Sequence, residues 1–243
     1  MKIQLRAELL KQRTTKTLLG LLGAMIGLTL LVVLLHAFPL DERMWEQQRL
    51  VLSSHDVVAP NLYELGGNSI DLWAGRILEE THGELAAVGA SMGGYVALAM
   101  ARQAPERVTA LLLAGSRATA DPPERKAVRA EMIRVVEEEG IEGWNREFIP
   151  QGPADRSTDE LVRGIEALRD RSDASDVVAS FRGPLMVVVG DHDELLPVEE
   201  ARQLAASAPA GRLVVVEGAG HLVNLDAPGR FNGILPELLL RPD

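Results

Sequence analysis

Short apolar runs alternate with amphipathic stretches along most of this chain. "LTLLVVLL" (28–35) is almost unbroken Leu and Val and ends at the Pro-containing "HAFPLD", as a strand buried on both faces would. "ERMWEQQRLVL" follows with helical spacing, and Asp41 stands where its N-cap is expected. "DVVAPNL" predicts a second short strand. In "SIDLWAGRILEETHG", Ile70, Trp73, Ile77 and Leu78 share one face of a helix that Ser69 would cap and Gly83 would end. "ELAAVGA" predicts a strand running into Ser91, "GYVALAMARQAP" a helix stopped by Pro105, and "RVTALLLAG" another buried strand. Further on come strand "PLMVVVGDHD", helix "VEEARQLAASAP", strand "GRLVVVEGAG" and helix "DAPGRFNGILPELLL". Such alternation predicts an α/β fold, a doubly wound and mostly parallel sheet with helices on both faces.

Between "RVTALLLAG" and "PLMVVVGDHD" the rhythm changes. From Ser116 to Ser180 the chain is charged and helical in spacing, with Pro122, Pro123, Pro150 and Pro153 as punctuation. "ERKAVRAEMIRVVEEEG" and "DELVRGIEALRDRS" read as amphipathic helices. This predicts a core of residues 28–115 and 181–243, a small helical lid inserted at 116–180, and a separate N-terminal segment at 1–27.

Charge and composition narrow the partners. The 243 residues carry a formal net charge of -10, which argues against a nucleic-acid partner. There is no cysteine, which excludes disulfides and thiolate chemistry. The N-terminus is the anomaly: Lys2, Arg6, Lys11, Arg13 and Lys16 precede Thr17 to Leu35, 19 residues without a charge. That length suits a membrane-spanning helix, and the basic flank also suits a secretory signal.

The stretch "VGASMGGY" carries the first candidate chemistry. Ser91 falls between a predicted strand and a predicted helix, where a nucleophile elbow requires it. Gly89 and Gly93 keep the turn small, and the helix starting at Met92 aims its amide end at developing negative charge. A serine hydroxyl needs a base. Of His36, His55, His82, His192 and His221, the last lies just past the final predicted strand, and strand ends of a parallel sheet share one edge. His36 reads as a shaper of local backbone, and His55 and His82 as surface residues. The orienting carboxylate comes from "VVVGDHDELLP", which offers Asp191, Asp193 and Glu194. As metal ligands these neighbours converge poorly on one ion, so no metal is expected.

At this point the chain resembles the α/β-hydrolase family, from about Leu28 to its end. "LLHAFPLDERMW" resembles the family's oxyanion loop, "GASMGGY" its elbow, "GDHDELLP" its acid loop and "GAGHLVNLDAPGRFN" its histidine loop. The order Ser91, Asp193, His221 is the family's order. The resemblance selects Asp193 over Asp191 through its spacing to Pro197. It also implies an oxyanion hole from the backbone amides of Phe38 and Met92, a small ester or lactone as substrate, and no cofactor. Members similar in outline are small bacterial esterases and enol-lactonases. Phe38, Met92 and Trp45 are candidates for an apolar wall near the nucleophile.

Two departures accompany the resemblance. Ala37 stands where the family usually has Gly, and residues 1 to 27 show no hairpin pattern before the first strand. The oxyanion strand needs Leu30 to Leu35, which leaves too few apolar residues before it to span a bilayer. A cytoplasmic protein is therefore expected, the alternative being membrane association through residues 17–35. The functional alternative is a non-hydrolytic member of the fold: a binding module, or lyase, haloperoxidase or transferase chemistry on the same scaffold.

Overall fold

The computed structural model describes residues 30–148 and 156–239. The 1–27 segment, and the part of the 17–35 stretch before Leu30, lie outside the described residues. The last five residues of that stretch are strand β1 (Leu31–Leu35). A 3-10 turn (Glu42–Trp45) then leads into α1 (Glu46–Val51), and Asp41 caps the turn by accepting from the Arg43 amide at 3.0 Å. The chain continues through β2 (Val57–Val58), α2 (Ile70–Glu80), β3 (Leu85–Ala90), α3 (Met92–Gln103) and β4 (Val108–Ala114). Among the described residues three helices separate β4 from β5: α4 (Pro123–Glu147), α5 (Thr158–Arg169) and α6 (Ser175–Ser180). The rest is β5 (Leu185–Gly190), α7 (Val198–Ser207), β6 (Gly211–Val216), α8 (Val223–Asp226) and α9 (Pro228–Leu239).

The six strands of the described residues form one parallel sheet in the order β2-β1-β3-β4-β5-β6. The central strands β3, β4 and β5 are buried nearly throughout, which is why they read as continuous apolar runs. Side chains alternate between the faces: Val33 and Leu35 join a cluster under α2, α3, α6 and α7, while Val32 and Leu34 join one under the 3-10 turn and α9. A third cluster joins α4 to α5 through Ile133, Val136, Trp144, Leu161 and Ile165, with Phe38 packed against it.

Several elements differ from expectation. Of the expected strand 28–35, Leu31–Leu35 is strand and residues 28 and 29 lie outside the described residues, while "DVVAPNL" yields only Val57–Val58, since Pro60 has no N–H for the ladder. Ser69 stands at the N-cap of α2, but its side chain makes no capping bond. The helical stretch up to Gly140 is broken there as its pattern implies, with φ 64° and ψ -156°, but a second helical stretch that the pattern did not show continues to Glu147. Among the described residues no helix is long and apolar enough to cross a membrane.

Candidate active site

The sheet is wound outward from β1 to β2 and then, across β1, to β3 and onward, so a crevice opens above the ends of β1 and β3. Ser91 stands there, between β3 and α3, with φ 49° and ψ -110°. It has the only positive φ of any non-glycine among the described residues. Such a conformation costs about 1–3 kcal/mol and persists only when its surroundings fix it. Here the Ser91 amide donates to the Ala114 carbonyl at 2.7 Å, and the Ser91 carbonyl accepts from the Gly94 amide at 3.0 Å and from Ser116 Oγ at 2.9 Å. The small residues on either side are required sterically. A Cβ on Gly93 would lie 2.0 Å from the Leu35 carbonyl oxygen, and one on Gly89 2.3 Å from the Gly93 backbone.

His221 follows β6 and reaches over the sheet edge to Ser91. Ser91 Oγ donates to His221 Nε2 at 2.9 Å, and His221 Nδ1 donates to both Asp193 carboxylate oxygens, each at 2.9 Å. The partners dictate this tautomer, since the carboxylate can only accept. The Asp193 carboxylate is fully buried after β5, where Oδ1 also accepts from the Leu195 amide at 2.8 Å and the Leu196 amide at 2.9 Å. Burial by itself would raise its pKa. The bond and charge of His221 and the two amides outweigh burial and hold it below the ordinary aspartate value. Asp191 turns away to accept from the Gly218 amide at 2.7 Å, and His192 and Glu194 are exposed. Among the described residues no three His, Asp or Glu side chains gather where an ion could sit.

The two amides expected to meet an oxyanion are those of Met92, next to Ser91, and Phe38, in the loop after β1. That of Met92 is the first of α3, beyond reach of any carbonyl in its own helix. Phe38 lies in the loop after β1, and its amide has no hydrogen-bond partner among the described residues. The Phe38–Pro39 peptide is cis. Ala37, in place of the expected Gly, keeps a negative φ and donates its amide to Met44 Sδ at 3.2 Å.

His36 shapes this loop from within: its Nδ1 donates to the Ala37 carbonyl at 3.1 Å, and its Nε2 accepts from the Leu62 amide at 2.9 Å. Complete burial pushes its pKa down to about 4, so it is neutral near pH 7. His55 and His82 are exposed.

The expected apolar wall is not assembled as read. Trp45 is fully buried on the other face of the sheet, packed on Phe231 at a ring separation of 5.9 Å, because the turn it ends lies against α9. Met92 is likewise fully buried core. Phe38 alone remains half-buried, edge-on to Trp144 at 5.4 Å. A cavity of about 360 Å³ opens beside this loop, with Pro39, Leu40, Met44 and Leu225 as its apolar lining.

Three supporting residues escaped the sequence reading. Ser116 braces the elbow carbonyl. Gly115 leaves room for the imidazole, since a Cβ there would lie 3.0 Å from His221 Cε1. Asp226 accepts from the Gly220 amide at 2.9 Å and steadies the histidine loop. The signal was the "AGS" closing β4 at the same sheet edge as Ser91 and His221.

Residues 32–234 match the model of the alpha/beta hydrolase family. A thermophilic esterase from Thermogutta terrifontis is 29% identical, with a TM-score of 0.75 over 88% of this chain and 90% of that one. The enol-lactonase from Burkholderia xenovorans LB400 shares the fold at 22% identity, with a TM-score of 0.70 over 88% of this chain and 92% of that one. A Klebsiella pneumoniae protein named "Putative carbamate hydrolase RutD" is 25% identical over 78% of this chain and 80% of its own. With the family match spanning most of its length, the chain belongs to the α/β-hydrolase family.

Proposed function

We propose that this chain is a serine hydrolase that cleaves a small carboxylic ester or lactone through an acyl-enzyme. One observation carries the reading: the unbroken relay from Ser91 Oγ through the His221 ring to the Asp193 carboxylate, every link at 2.9 Å. Ser91 Oγ attacks the carbonyl carbon while His221 Nε2 takes its proton. Asp193 fixes the imidazole and stabilises the imidazolium. The tetrahedral oxygen is met by the Met92 and Phe38 amides, each such donor contributing about 3 kcal/mol to the transition state. His221 returns the proton to the leaving oxygen, and a water activated by the same imidazole frees the acid. No cofactor takes part.

Residues 116–180 act as a lid over this centre. The protein works in the cytoplasm, since β1 claims Leu31–Leu35 and leaves the apolar residues before it too short to span a bilayer.

A second reading has one observation in its favour, the carbamate hydrolase name of a relative covering most of the chain. The same relay would serve a carbamate carbonyl, with His221 protonating a nitrogen leaving group instead of an oxygen. The test is Ser91→Ala beside the wild type, assayed with p-nitrophenyl esters of increasing acyl length, lactones and carbamates. A fluorophosphonate probe labels the nucleophile in parallel. We expect labelling and ester or lactone turnover that the variant abolishes while its thermal unfolding is unchanged. Turnover confined to carbamates selects the second reading. A wild type that neither labels nor turns over any of the three points to a non-hydrolytic member of the fold.

A further inference from the structure

The loop from His36 to Asp41 carries the Phe38 amide, yet the sheet anchors only its first residue. Its other end is held from outside the sheet. Asp41 forms an ion pair with Arg156, which lies just before α5, and both side chains are buried, 7% and 8% exposed. The same guanidinium sits over the Tyr63 ring at 5.3 Å, and Tyr63 packs on His36 at 5.2 Å. Arg156 thus touches Asp41 at one end of the loop directly and His36 at the other through Tyr63. Between these ends the Phe38 ring fills a slot between Trp144 and Gly164, where a Cβ on Gly164 would come within 2.5 Å of Phe38 Cδ2. Asp41 is also held at 2.6 Å by Arg43, two residues on in the same turn.

We propose that Arg156 is a positioning residue for the oxyanion hole, holding the His36–Asp41 loop, and with it the Phe38 amide, in place against α4 and α5. This rests on the serine-hydrolase reading above. Arg156 touches no reacting atom; it acts by fixing an amide whose worth depends on lying within hydrogen-bond reach of the developing oxyanion. The substrate is bound equally well by a loosened loop, so the loss falls on kcat and not on KM.

The experiment compares Arg156→Gln, Asp41→Asn, Arg156→Lys and Ser91→Ala in the full chain. Asp41→Asn keeps an oxygen for the Arg43 amide, so the turn stays capped and that variant folds even where Arg156→Gln does not. The readouts are kcat and KM for a p-nitrophenyl ester, inhibition by a trifluoromethyl ketone, whose adduct places an oxyanion in the hole, and thermal unfolding. We expect kcat to fall by about ten- to a hundredfold in Arg156→Gln and Asp41→Asn, with KM within about threefold. Trifluoromethyl ketone affinity should weaken by the same factor as kcat. Arg156→Lys should recover most of the loss. The Asp41→Asn/Arg156→Gln double variant should be no worse than the poorer single, because both remove one tie. If Asp41→Asn keeps wild-type kcat and ketone affinity while Ser91→Ala is inactive, Arg156 only stabilises the fold and the proposal is overturned. If Ser91→Ala retains turnover, the hydrolase reading itself fails, a different and recognisable pattern.

Discussion

Replacing His36 with Gln should flatten the dependence of stability on pH. In the native protein His36 is fully buried and accepts from the Leu62 amide through Nε2. Protonation would set a second N–H against that amide, inside apolar surroundings. Burial therefore holds the folded pKa at about 4, against an ordinary value of 6.5 for the unfolded chain. A histidine depressed in this way contributes its full stability above pH 6.5. Below that the unfolded chain binds the proton first, and the contribution is lost by the time the pH has fallen through about 4. The difference between the two values corresponds to about 3 kcal/mol, a large share of a typical domain's total. Gln offers Oε1 to the Leu62 amide and cannot titrate. The assay is urea unfolding of wild type and His36→Gln at constant ionic strength from pH 8 to pH 4. At pH 8 the variant should be the less stable, by about 1 kcal/mol of lost packing. That gap should close and reverse as the pH falls, with the difference moving by about 3 kcal/mol across the window. The other histidines and the carboxylates are common to both proteins and cancel. A difference that stays constant from pH 8 to pH 4 would refute the assignment of a neutral, buried acceptor.

Asp193→Asn should cut kcat by about 10⁴-fold, because an amide can leave His221 in the wrong tautomer, whereas Asp191→Asn, which loses only the Gly218 contact, should cost less than about tenfold; equal losses in steady-state assays would unseat Asp193. Gly93→Ala pushes a methyl into the Leu35 carbonyl and should lower stability by about 3 kcal/mol with loss of turnover, and an unshifted denaturation midpoint would show that the elbow and β1 are not in contact. Deleting residues 1–16 should leave an active protein. Deleting 1–35 removes Val32, Val33, Leu34 and Leu35, each with no exposure, at about 2 kcal/mol apiece, and exposes β2 and β3 as edges, so that product should be insoluble; a soluble, active 36–243 chain would contradict the role of β1.

What was legible in the sequence was what repeats or punctuates. β3, β4 and β5 are buried on both faces, so each announces itself as an apolar run; Ser91 follows β3 and Asp193 follows β5 in plain view, and His221 stands just past β6, the last strand. Asp193 could be separated from Asp191 only through the spacing of a familiar loop; the physical reason, a carboxylate turned inward onto the Leu195 and Leu196 amides, is a matter of backbone direction. Trp45 was misjudged because adjacency in sequence to Phe38 says nothing about which face of the sheet a turn delivers its side chain to. Gly140 breaks the helix as its freedom of φ allows, and the stretch from there to Glu147 was missed because the helical pattern read from the sequence stops at that glycine. The tie between Asp41 and Arg156 joins residues 115 positions apart, with no local pattern at either end.

The groups of this site are held by unequal means, and that inequality has a consequence. Ser91 is fixed by strand β4, whose end supplies both the Ala114 carbonyl and the Ser116 hydroxyl, and Asp193 by amides of its own turn. His221 is then fixed between them. None of these contacts involves α4 or α5. The Phe38 amide is the exception, since its loop leans on Trp144 of α4, Gly164 of α5 and Arg156 just before α5. On the proposed mechanism, a change in the inserted helices that spares these contacts leaves the proton relay intact and reaches the chemistry through the oxyanion hole. On the proposed mechanism, the sheet sets whether the chain can form an acyl-enzyme, and the insertion sets how well the transition state leading to it is stabilised.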